Sequence, residues 1–206
     1  MIISTHRRFI FAAIPKTGTH AVRQALRVHM AADDLEQVGL FVAKRFPIPE
    51  LAQLKHGHLG LQQVRPYLPA EDFEQFFKFA FVRNPFDRFV SYCAFMTRQG
   101  GHFQQDPHRV MADFIANPPW GHILFQPQYA QLVDDEGKLL TDMIGRFETM
   151  QESYDAIAER IGIPSATLER VNASSHADFR TYYNQELRDG VAKLYARDLE
   201  LFGYRF

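Results

Sequence analysis

Arg8-Phe9-Ile10-Phe11-Ala12-Ala13-Ile14-Pro15-Lys16-Thr17-Gly18-Thr19-His20 decides the fold of this chain. An apolar run of strand length, Arg8 to Ile14, stops at a proline, and a short loop with one glycine follows. Ala21 to Met30 then reads as a helix, with Val22, Ala25, Leu26 and His29 on one face. The same order recurs downstream. Lys78 to Val82 is a second apolar strand, Asn84-Pro85 supplies an N-cap and a favourable first helical residue, and Phe86 to Thr97 is helical.

Working outward, Leu61 to Leu68 fits a short helix closed by Pro69. Leu139 to Phe147 holds a third strand after the turn Asp134-Asp135-Glu136-Gly137. Gln151 to Ile161 and Glu186 to Phe202 read as helices, the second with Asn184 near its N-cap and Gly203 at its stop. Arg98 to Tyr129 is richer in Gly, Pro, His and Gln and reads as a long, partly helical excursion. Strands alternating with helices predict one α/β domain over 1–206, with a central parallel sheet flanked by helices.

Composition narrows the partners. A chain of 206 residues, 46% hydrophobic, is long enough for one core and short for two. A formal charge of -1 gives no reason to expect nucleic acid or an anionic membrane as partner. The single cysteine, Cys93, excludes an intrachain disulfide and reads as a buried small hydrophobe in its apolar helix. No secretory pattern opens the sequence, and no stretch approaches the roughly 20 apolar residues of a membrane span. The expectation is a soluble, cytoplasmic protein.

Each strand-to-helix junction offers an anion site of a different kind. Lys16 to Thr19 combines an ammonium, hydroxyls and the N–H groups at a helix start, where the helix dipole is positive. Arg83 stands at a strand end, with Ser91 two helical turns on. A ligand that fits both carries two separate phosphate-like groups, which describes 3'-phosphoadenosine 5'-phosphosulfate (PAPS) better than ATP. A Walker A loop places Lys directly after its last Gly; here Lys16 precedes Gly18, and position 13 is Ala.

Pro15-Lys16-Thr17-Gly18-Thr19 resembles the 5'-phosphosulfate loop of PAPS-dependent sulfotransferases, and Arg83-Asn84-Pro85-Phe86-Asp87-Arg88 through Ser91 resembles their 3'-phosphate motif. The resemblance implies a P-loop-like domain. It implies Lys16 on the bridging and sulfonyl oxygens, Thr17, Gly18 and Thr19 around the 5'-phosphate, and Arg83 with Ser91 on the 3'-phosphate. The bland reading of Arg83 is an ion pair with Asp87, and of Ser91 a solvated helical serine. One departure is His20, which stands where the family usually has a second hydroxyl residue.

Lys55-His56-Gly57-His58 resembles the segment of uronosyl 2-O-sulfotransferases whose second histidine is the base. Sulfuryl transfer to a hydroxyl needs a proton acceptor, and imidazole has a suitable pKa. His58 is read as that base, with His56 as a helper or structural residue near the acceptor. The tail, Gly145-Arg146-Phe147-Glu148 and Val171-Asn172-Ala173-Ser174-Ser175-His176, resembles the carbohydrate-type (Sulfotransfer_2-like) branch. Asn172 and Ser174 either close over the nucleotide or form a polar turn. Trp120, His122, Gln126, Gln128 and Tyr129 lie in the long excursion, where an aromatic face with amides and imidazoles suits a sugar.

The expected function is transfer of a sulfuryl group from PAPS to a hydroxyl on a small molecule or glycan, leaving adenosine 3',5'-bisphosphate (PAP), with no metal. Two alternatives remain open. An ATP-dependent small-molecule kinase would need a metal and a carboxylate at a strand end, for which Asp142 is the one weak choice. A non-catalytic nucleotide-binding protein would keep the fold without the reaction.

Overall fold

A computed structural model describes residues 1–39, 44–169 and 178–206. In chain order its strands are β1 (Ile2–Ser4), β2 (Phe9–Ala12), β3 (Leu35–Glu36), β4 (Phe77–Val82) and β5 (Met143–Arg146). The α-helices are α1 (Thr19–Arg27), α2 (Pro49–Ala52), α3 (Leu61–Val64), α4 (Ala70–Gln75) and α5 (Pro85–Met96), then α6 (His102–Gln105), α7 (Pro107–Ala116), α8 (Met150–Arg160), α9 (Gln185–Leu194) and α10 (Ala196–Phe202). They fall into two compact units, Met1–Val82 with Ala130–Val171, and Arg83–Tyr129 with Asn172–Phe206.

The first unit holds the sheet, in the order β3-β1-β2-β4-β5. β2, β4 and β5 run parallel, with Phe11 opposite Phe79 and Val82 opposite Arg146. These are the three strands the sequence predicts. The sheet is nevertheless mixed, which corrects the all-parallel expectation: β1 pairs antiparallel with both β2 and β3. A tight turn suffices for an antiparallel neighbour. Here the Ser4 hydroxyl accepts from the Arg7 N–H at 3.0 Å and the turn closes with Arg8 at φ 55, so no glycine, proline or asparagine marks it in the sequence.

Alternate phenylalanines set the sheet's packed face. Phe9 and Phe11 of β2 and Phe79 and Phe81 of β4 project to one side, because side chains alternate along a strand. Phe11 stacks on Phe79 at 5.2 Å and meets Phe81 edge-on at 6.4 Å. Val22 and Leu26 of α1 and Tyr154, Ile157 and Ala158 of α8 cover them. Each such fully buried side chain contributes about 1.5–3 kcal/mol. Because β2 and β4 are parallel, both end at one edge of the sheet, where ligands bind in α/β folds.

In the second unit, Asn84 caps α5 by accepting from the Phe86 N–H at 3.1 Å, as its sequence position predicts. Phe86, Phe89, Val90 and Cys93 of α5 pack with Phe125, Leu187, Val191 and Tyr195. Burial pushes the Cys93 thiol well above its ordinary pKa, so it stays protonated. The single helix expected over 186–202 is two helices, separated at Tyr195, whose hydroxyl donates to the Phe125 carbonyl at 2.8 Å. No helix among the described residues is long and apolar enough to cross a membrane.

Candidate functional site

The loop from Ile14 to Thr19 has one shape imposed from within. The Thr17 hydroxyl donates to the Ile14 carbonyl at 2.9 Å, and Thr17 is fully buried. Its hydroxyl therefore pins the loop from within. Lys16 at φ 67 and Gly18 at φ 74 both sit in the left-handed region. For lysine that is a strained conformation, of the kind found at functional sites.

Gly18 is favoured by its φ, and the space a Cβ would take is bordered by the flexible end of Met150, at 2.5 Å, and by Phe147 Cδ2, at 3.2 Å. It is also the N-cap of α1, with no side-chain cap. It opens that nine-residue helix at the positive end of its dipole, where the Ala21 N–H donates to the Gly18 carbonyl at 3.1 Å. His20, the departure from the expected hydroxyl, is the second residue of α1.

The His-Gly-His segment lies against the start of this same loop. His58 Nδ1 is 2.7 Å from the carbonyl of Ala13, three residues before Lys16. A carbonyl only accepts, so Nδ1 carries the hydrogen and Nε2 the lone pair. Burial pushes the His58 pKa down to about 3, with the Arg23 charge acting in the same direction and the Ala13 bond opposing both. The imidazole is therefore neutral at pH 7. His56 is also lowered, first by burial, and its ring lies 6.3 Å from that of His58.

The backbone of this segment is held residue by residue. Gln37 Nε2 donates to the His56 carbonyl at 2.8 Å, and Arg23 Nη2 donates to the Gly57 carbonyl at 3.0 Å. A Cβ on Gly57 would stand 2.1 Å from the Gln37 carbonyl oxygen and 2.8 Å from Arg23 Nη2. Only glycine fits. Sequence reading missed Arg23 and Gln37; a charged residue beside Val22, within the apolar register of α1, was the available signal for Arg23.

The second unit carries Arg83 and Ser91. Arg83 follows β4 directly, and Asp87 and Ser91 are four residues apart on α5, so they share a face. Arg83 Nε donates to Asp87 Oδ2 at 2.7 Å, so the ion pair of the bland reading exists. Arg83 and Ser91 are nearly buried, at 5% and 6% exposure, which removes the reading of Ser91 as a solvated serine.

Gln128, which the sequence reading puts on the acceptor, is fully buried. Its Oε1 accepts from the Arg83 N–H and its Nε2 donates to the Arg83 carbonyl, both at 2.9 Å. Asp198 in turn accepts from the backbone N–H groups of Gln128 and Tyr129 at 2.8 Å. Its carboxyl pKa is raised by burial, with Arg88 opposing. Gln128 and Asp198 thus fix the backbone from which Arg83 projects.

Trp120 is 43% exposed and packs edge-on against Phe125 at 5.1 Å. The chain returns its carbonyl to Gln126 Nε2 at 3.2 Å. His122 Nδ1 is 3.5 Å from the Tyr92 hydroxyl, beside Ser91 in the chain. Asn172 and Ser174 lie outside the described residues.

Asp142, the carboxylate a kinase would need, is at the wrong end of its strand. It precedes β5 and accepts from the backbone N–H of Lys78, near the start of β4, at 2.7 Å. No cluster of three or more His, Cys, Asp or Glu side chains suited to a metal occurs among the described residues.

No solved structure matches this chain. An uncharacterized protein of Archaeoglobus fulgidus is 25% identical over 108 residues, or 52% of this chain and 86% of that protein. Residues 1–98, which contain Lys16, His58, Arg83 and Ser91, match the Sulfotransferase family (Sulfotransfer_2), and this match supports a sulfotransferase family for the chain.

Proposed function

We propose that the chain transfers a sulfuryl group from PAPS to an alcohol hydroxyl, as on a carbohydrate or glycan-like acceptor. The observation that carries this reading is the joining of two motifs in the first unit: His58 is hydrogen-bonded to Ala13, at the root of the Lys16–Thr19 loop. That bond holds a neutral imidazole beside the Lys16–Thr19 loop, which supports the reading of the loop as the anion's seat. The match of residues 1–98 to sulfotransferases supports the same reaction class. Lys16 and the N–H groups of Gly18 and Thr19 take the 5'-phosphosulfate, where the α1 dipole is positive. Arg83 and Ser91 take the 3'-phosphate, with Gln128 holding the Arg83 backbone. We treat the two compact units as one functional domain.

The reaction is an in-line displacement at sulfur. The acceptor oxygen forms its bond to sulfur as the bond from sulfur to the bridging phosphate oxygen breaks, and PAP leaves. His58 Nε2 takes the acceptor proton, and Lys16 stabilises the charge that grows on the leaving phosphate. With a pKa of about 3 the free imidazole is a weak base. Proton transfer therefore follows as the forming O–S bond acidifies the hydroxyl, and the anionic donor nearby raises the imidazole's basicity. Fixed geometry supplies much of the rate.

The direct test is calorimetric titration with PAP and with ATP plus Mg²⁺, joined to a turnover assay with PAPS. PAP should bind without metal, and Lys16→Ala should lose about 10²–10³-fold in kcat while remaining folded. Metal-dependent binding of ATP with none of PAP would favour the kinase instead.

A further inference from the structure

We propose that Arg23 is a positioning residue for His58: by donating to the Gly57 carbonyl, its guanidinium fixes the peptide that aims the His58 ring. This rests on the reading of His58 as the acceptor base. Arg23 lies on α1, one turn past the Lys16–Thr19 loop, and is 6% exposed. Its Nη2 donates to Gly57 at 3.0 Å and approaches the Gln37 carbonyl at 3.5 Å.

Arg23 is an expensive way to fill that space. Its Nε is buried with no hydrogen-bond partner among the described residues, and its Nη2 donates to carbonyls rather than to a carboxylate. The carboxylate of this region, Glu36, is bonded to Arg27 and Lys44. Burial holds the Arg23 pKa down to about 10, with Glu36 opposing. A side chain serving only to pack would be better apolar, since a buried charge destabilises unless well paired. A buried polar atom left unsatisfied asks for a reason.

The geometry around Gly57 supplies one. The peptides of His56 and Gly57 are tied to Gln37 and Arg23, and the His58 ring is tied to Ala13. With both ends fixed, the ring has one orientation and one tautomer. The charged and titratable groups acting on His58 are Arg23, the Met1 amino group and His56, all of which lower its pKa. The amino group also donates to the Gly57 carbonyl.

The experiment compares Arg23→Met, which keeps an unbranched stem but removes charge and donor, with Arg23→Lys, which keeps both. Imidazole ¹⁵N shifts of His58, assigned by loss of the signal in His58→Gln, report its tautomer and titration. PAP affinity and PAPS turnover are measured on the same samples. We expect Arg23→Met to bind PAP within about threefold of wild type, lose about 10²-fold in kcat and mix the His58 tautomers, with Arg23→Lys recovering at least about tenfold. The His58 pKa should rise in Arg23→Met, because a neighbouring cation is gone.

Unchanged kcat and unchanged ¹⁵N shifts in a folded Arg23→Met would overturn the proposal. So would a loss of PAP affinity in step with kcat, since Arg23 would then act through the loop of α1. Whether or not Arg23→Met folds, a wild-type His58 protonated on Nε2 refutes the geometry. A wild type with no turnover defeats the functional reading, while the ¹⁵N measurements still report whether Arg23 sets the ring.

Discussion

Replacing Gly57 by alanine tests the cradle around His58 without touching a charge. The new Cβ would stand 2.1 Å from the Gln37 carbonyl oxygen and must retreat by about 1.3 Å to reach ordinary contact at 3.4 Å. The obstacle is backbone, beside strand β3, and Arg23 Nη2 blocks another direction at 2.8 Å. Overpacking of this kind costs about 1–3 kcal/mol. In a chain of 206 residues each kcal/mol lowers Tm by roughly 2–4 °C, so the fall should be about 2–12 °C. Displacement of the next residue, His58, by about 1 Å should cost about 10²-fold in turnover. PAP binding should change little, because the loop residues are not moved. Gly121→Ala is the control: a Cβ there meets nothing within 4 Å, and stability should hold or rise by about 0.4–1 kcal/mol. The assays are scanning calorimetry and PAPS turnover on both variants. A Gly57→Ala protein with wild-type Tm and wild-type turnover refutes the reasoning.

Arg83→Ala and Ser91→Ala should weaken PAP binding much more than binding of adenosine 5'-phosphosulfate, which lacks the 3'-phosphate. Equal losses in titration would remove that role from both residues. The folded-state pKa of His58, about 3 against 6.5 unfolded, means the unfolded chain takes the proton first as pH falls. Its contribution to stability is therefore intact above about pH 6.5 and is lost toward pH 3, at up to ~1.4 kcal/mol per unit. Denaturant unfolding at several pH values should show a shallower slope in His58→Gln, and identical slopes would contradict the buried, neutral imidazole. Turnover should persist in excess EDTA, whereas a kinase would stop for want of its bridging Mg²⁺. Inhibition reversed by Mg²⁺ would favour the kinase.

Local order along the chain was enough to find β2, β4 and β5 and the junctions after the first two, because apolar runs and Pro, Gly or Asn punctuation act over a few residues. Asn84 as a cap, Gly203 as a stop and Lys16–Thr19 as a loop entering a helix are local events of that kind. Partnership across the chain was not legible. β1 is three residues long and owes its place to pairing with β2 and β3. Gln128 carries the residue type of a surface contact, but folding buries it against Arg83, 45 residues away. Arg23 and Gln37 are ordinary helix and loop residues until folding brings the Gly57 and His56 carbonyls within hydrogen-bond reach. Residue types and local spacing thus fixed which groups have chemistry to offer, whereas burial and long-range hydrogen bonds decided which are held in place and in what charge state, since desolvation and bond direction exist only once distant segments meet.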